Sequence, residues 1–91
     1  MKKFLVEMSH TREECLRALD SVLEKGGPDY LDKFEWGCAD GNHTGWAVIE
    51  GKSKSAVRDT IPKSVQDESH VTEVDKFTPE QLRKFHEEIG N

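Results

Sequence analysis

The stretch Lys2–Cys15, KKFLVEMSHTREEC, restricts the fold of this chain more than any other. Phe4, Val6 and Met8 alternate with Lys3, Leu5 and Glu7, which is the two-residue period of a half-buried strand. Ser9 and His10 end that run. Thr11 and Glu14 then supply a T-x-x-E capping box in front of an apolar-periodic segment. A strand that feeds straight into a helix is the opening of an α/β or α+β domain, and here a histidine and a cysteine stand at the join.

The rest of the chain extends that pattern. A first helix is expected from about Arg12 to Lys25, burying Leu16, Leu19, Val22 and Leu23, with Cys15 at the edge of the stripe. Gly26-Gly27-Pro28 ends it. Asp32–Cys38 alternates again, with Phe34, Trp36 and Cys38 on one face. The turn Asp40-Gly41-Asn42 joins it as a hairpin to Thr44–Glu50, the most continuously apolar run. Ser53 or Ser55 caps a short helix through Ala56, Val57 and Ile61, which Pro62 ends or kinks. Residues 65–69 read as a polar loop, and His70–Phe77 as an edge strand with charge on both faces. Thr78-Pro79-Glu80-Gln81 starts a last helix, expected to Ile89 and stopped by Gly90.

This order predicts an α+β domain spanning residues 1–91, with the ferredoxin-like βαββαβ topology. The expectation is a four-stranded antiparallel sheet in the order 4-1-3-2. Two helices cover one face, and a C-terminal helix is added. The second face then holds a mixture such as Leu5 with Glu7, joined by either Trp46 and Val48 or Ala47 and Ile49. A domain of 91 residues has a thin core. An apolar sheet face on it calls for a cover, either the C-terminal helix or a second subunit.

Charge and composition exclude several functions. The net charge of −5 argues against nucleic acid and acidic membrane surfaces as partners. No run reaches the length of a membrane span. MKKFLVEMSH has the basic start of a signal peptide, but Glu7 and His10 interrupt any apolar core, so the expected location is cytoplasmic. Cys15 and Cys38 match no C-x-x-C pattern and are expected as free thiols. There is no phosphate-binding loop, G-x-S-x-G or H-E-x-x-H motif.

FLVEMSHTREEC and GNHTGWAVIEGKS resemble segments of small uncharacterised prokaryotic domains in the dimeric α/β-barrel superfamily. Some relatives of that kind resemble a nickel-binding protein. The resemblance implies ferredoxin-like subunits paired sheet to sheet, as a homodimer or a higher oligomer built from dimers. The wider superfamily includes monooxygenases, isomerases and ligand-sensing domains. Where the nickel-binding relatives would carry paired histidines near the end of the first strand, this chain has Met8 and His10.

The chemistry-bearing residues fall at element ends. In the expected topology His10, Cys15, His43 and His70 gather at one end of the sheet, where they could ligate zinc or nickel. His10 and His43 form the tightest pair, with Cys15 or His70 as a third member. Cys38 ranks last, because its strand lies beyond the third strand. The alternative is that the histidines are polar strand ends and the cysteines small core fillers. No catalytic residue is identified. Three functions are open: a self-associating domain that binds a small molecule or a partner, a transition-metal-binding domain, and a cofactor-independent enzyme acting on a small molecule.

Overall fold

A computed structural model describes residues 1–90. Four strands make one antiparallel sheet: β1 (Lys2–Ser9), β2 (Glu35–Trp36), β3 (Thr44–Gly51) and β4 (Ser69–Val74). Their order is β2-β3-β1-β4, and read from the other edge it is β4-β1-β3-β2. β1 pairs with both β3 and β4, with Phe4 opposite Ile49, Val6 opposite Ala47, and Val6 also opposite Val71. The alternation seen in the sequence has a direct cause here, since Phe4, Val6 and Met8 are buried and their odd-numbered neighbours are not.

The helices are α1 (Cys15–Asp32), α2 (Lys54–Arg58), α3 (Lys63–Gln66) and α4 (Pro79–Glu88). Ala18 and Val22 of α1 join Val57, Ile61 and Val65 against Phe4, Val6, Met8, Ala47 and Ile49, so α1 to α3 share one face of the sheet. Burying each larger side chain of this kind contributes about 1.5–3 kcal/mol. The open face therefore carries Leu5, Trp46 and Val48, which settles the parity of the third strand.

Several boundaries differ from expectation. The first helix does break at Gly27, whose φ of 78° is a left-handed conformation suited to glycine. Pro28 at once starts another helical turn that runs to Asp32. That extra turn uses up the start of the expected second strand, and β2 shrinks to Glu35–Trp36. Leu16 and Leu23 were expected to be buried, but they are 75% and 40% exposed. The inward face instead follows Cys15, Ala18 and Val22, and the small Ala18 lies against the sheet. α2 stops at Arg58, short of Ile61 and Pro62, and Pro62 instead is the N-cap of α3, which takes Val65 and Gln66 from the expected loop. β4 stops at Val74, three residues before Phe77.

The C-terminal helix is capped as the sequence indicates. Thr78 accepts from the Gln81 N–H at 3.1 Å, and the Gln81 carboxamide accepts from the Thr78 N–H at 2.8 Å. The helix covers nothing: Leu82, Phe85 and Ile89 are 54%, 44% and 70% exposed. Its visible apolar contact is the edge-on ring pair Phe77–Phe85, with centroids 5.5 Å apart.

Candidate metal centre

The site is the continuation of one rung of the sheet. Met8 pairs with Gly45, and Gly45 pairs with Trp36 on its other side. Gly45 is required there, because a Cβ at this position would lie 2.5 Å from the Trp36 ring. One rung further on, the His10 N–H donates to the His43 carbonyl at 3.0 Å. Residues two apart on a strand share a face, so His10 follows Met8 and His43 follows Gly45 toward the helices. The two imidazoles meet with centroids 5.8 Å apart.

The same parity brings in Cys38. The Gly37 N–H donates to the Thr44 carbonyl at 3.0 Å, closing β2 against β3. A 3-10 turn, Cys38–Asp40, then begins, with Gly41 left-handed at its end. Cys38 follows Trp36 on the helix face, and its Sγ lies 3.3 Å from His10 Nε2. Trp36 stacks on Phe34 at 5.4 Å and flanks the His10 ring at 6.0 Å.

Cys15 reaches the group from above. Thr11 and Glu14 make both bonds of the capping box, the Thr11 hydroxyl accepting from the Glu14 N–H at 3.3 Å. A 3-10 turn over Arg12–Glu14 leads into α1, and Cys15 is the first residue of that helix. One ligand atom from each of His10, Cys15, Cys38 and His43 lies within 4.8 Å of the others. A tetrahedral ion at 2.0–2.3 Å needs ligand atoms about 3.3–3.8 Å apart. Rotamer adjustments of the order of 1 Å would close the set.

His10 is 7% exposed, while the other three are half-buried. The Nδ1 atoms of His10 and His43 are buried without a hydrogen-bond partner among the described residues. A buried polar atom with no partner costs about 1–3 kcal/mol, so two in one small cluster call for a ligand. Burial pushes the His10 imidazole below its ordinary pKa, and the charge of His43 adds to this against the backbone of Met8 and the carboxylates of Glu14 and Glu68. Burial and the neighbouring Cys15 push the Cys38 thiol up. The pair is thus held as neutral imidazole and thiol. Ligation would need both sulfurs as thiolates, and a bound cation would displace their protons.

His10, Cys15 and His43 come together, but His70 does not. His70 pairs with Glu7, whose side chain lies on the face opposite Phe4, Val6 and Met8, and His70 is exposed there. It follows Ser69, the first residue of β4, so it lies near the right end of the sheet but on the wrong side. Cys38, ranked last from the sequence, takes its place. β3 lies between β1 and β2, so His43 has neighbours on both sides, and the shared parity of Trp36 and Cys38 is the signal that could have found the fourth member. A search of protein families, curated proteins and solved structures finds no match to this chain.

Proposed function

We propose that this chain is a transition-metal-binding domain whose ion is held by His10, Cys15, Cys38 and His43. The observation that carries this reading is the convergence of two imidazoles and two thiols, from four separate segments, within 4.8 Å. A Cys₂His₂ set suits tetrahedral zinc best, with nickel the alternative among borderline metals. The ligands close the coordination sphere from the protein side, which is the character of a structural or storage site. Chelator-treated protein titrated with zinc, nickel and cobalt should bind about one ion per chain, and cobalt should give the intense visible bands of tetrahedral thiolate coordination. Retention of less than a tenth of an equivalent of every metal would sink the proposal.

A second reading concerns assembly. The overall layout supports a ferredoxin-like domain of the dimeric α/β-barrel kind, which pairs through its helix-free sheet face as a homodimer or higher homo-oligomer. Leu5, Trp46 and Val48 occupy that face without a covering element, and the apolar side of α4 is equally bare. No helix among the described residues is long and apolar enough to cross a membrane. Sedimentation at tens of micromolar tests the assembly, because an interface of standard size usually holds at that concentration. A monomer would remove it and leave the metal proposal standing.

A further inference from the structure

The two sulfurs of the candidate centre belong to elements far apart in the chain, the first residue of α1 and the turn after β2. Their Sγ atoms nevertheless lie within 4.8 Å of each other, both are free, and both are half-buried, so a small oxidant can reach them. A disulfide needs its sulfurs at about 2.05 Å, so at most about 2.8 Å of approach is needed. From this geometry we infer that Cys15 and Cys38 are a reversible oxidation site, and that joining them dismantles the metal centre. The redox step stands on the sulfur geometry alone. Its consequence for metal rests on the proposed function.

The chemistry balances with a peroxide as the two-electron oxidant. One cysteine sulfur attacks a peroxide oxygen, the O–O bond breaks, and the leaving oxygen departs as water, leaving a sulfenic acid. The second sulfur attacks the first, the S–O bond breaks, and a second water leaves as the S–S bond forms. Two thiols lose two electrons and two protons, and hydrogen peroxide becomes two waters. With an ion bound, the same two electrons come from the coordinated thiolates, two protons are taken from solvent, and the metal is freed. The disulfide sulfurs are poor donors, so His10 and His43 alone remain, and two imidazoles do not hold zinc at the strength of four ligands. A thiol reductant reverses the step.

The other candidate sites are less suited to this role. The open cavity of about 290 Å³ beside Leu19, Leu31, Asp32, Phe34 and Trp36 holds, among the described residues, no buried polar atom without a partner. The cavity at Tyr30 and Thr60 is bridged by their 3.0 Å hydroxyl contact.

The test uses the full chain in two states. Metal-free protein is equilibrated in mixtures of reduced and oxidised glutathione, then alkylated and weighed. The expected product is a monomer lighter by two hydrogens, with a Cys15–Cys38 crosslinked peptide, returned to two alkylated thiols by dithiothreitol. Zinc-loaded protein is treated with hydrogen peroxide beside a chromogenic chelator. One zinc should appear for each disulfide formed, and dithiothreitol should restore zinc uptake. Both cysteines alkylated under oxidising mixtures, or crosslinks only between chains, would overturn the inference even if zinc binds. Disulfide formation in a chain that takes up no metal would sustain the oxidation site and instead remove the metal reading.

Discussion

His10 sits at the point where burial, a second imidazole and a thiol meet, and its behaviour follows from that position. Its pKa is lowered in the folded state. The unfolded chain therefore binds more protons near pH 6.5, and stability is full above that value and falls as pH drops through it toward the folded pKa. Denaturant titrations between pH 8 and pH 5 should show this loss, and His10→Gln should flatten it. Cys38, pushed up, has the opposite sign: its contribution is intact at neutral pH and is lost as pH rises above its ordinary value of 9.0. Metal uptake should weaken as pH falls, because protons compete for the thiols and imidazoles. Removing Cys38 should lower affinity at least as much as the roughly 10–100-fold that outer-shell changes cost, whereas His70→Ala should change it less than twofold by competition with a chelator. The contrast between these two residues shows what the sequence could and could not convey. Position along a strand was readable from the order of elements. The face was readable from two-residue parity, and that parity separates His70 from the group and includes Cys38.

At the scale of elements, the capping boxes were legible because their chemistry is local: Thr11 with Glu14 and Thr78 with Gln81 both close as the residue types require. Thr11→Ala should cost about 1 kcal/mol. It should also loosen Cys15, measured as a lower cobalt affinity beside the lower melting temperature. The extra turn from Pro28 to Asp32 and the α3 turn were not legible, because each is a single turn held by packing, with no propensity run long enough to announce it. Tyr30 sets its ring edge-on to Phe34 at 5.4 Å, and Val65 is buried in the core. Tyr30 also meets Thr60, far along the chain, through hydroxyls 3.0 Å apart, and such long-range contacts leave no local trace. Gly45 is a sharper case. Replacing it by valine puts a side chain into the Trp36 ring and should destabilise by about 1–3 kcal/mol. Replacing Gly27 by alanine strains a left-handed backbone at a cost of about 1 kcal/mol. Only the Gly45 change should disturb Trp36 fluorescence.

The molecule as a whole is longer than its size requires. Its Cα radius of gyration is 16.2 Å, against about 12 Å for a compact chain of this length. The principal extents are 50 × 29 × 22 Å. The cause is α4, whose residues are all exposed. Deleting residues 78–91 should leave metal uptake unchanged and reduce the oligomer, if α4 adds to the interface, as read by light scattering. A helix of this length is marginal in water when nothing packs on it. Its capping box lowers that cost without removing it, so in a monomer its amides should exchange with solvent far faster than those of β1. A concentration at which those amides become protected would mark the onset of assembly from the helix itself. The exposed helix would then also be a clock: if it unravels in a lone chain and stiffens on contact, a protease acting at Phe77–Phe85 would cut single chains and spare assembled ones.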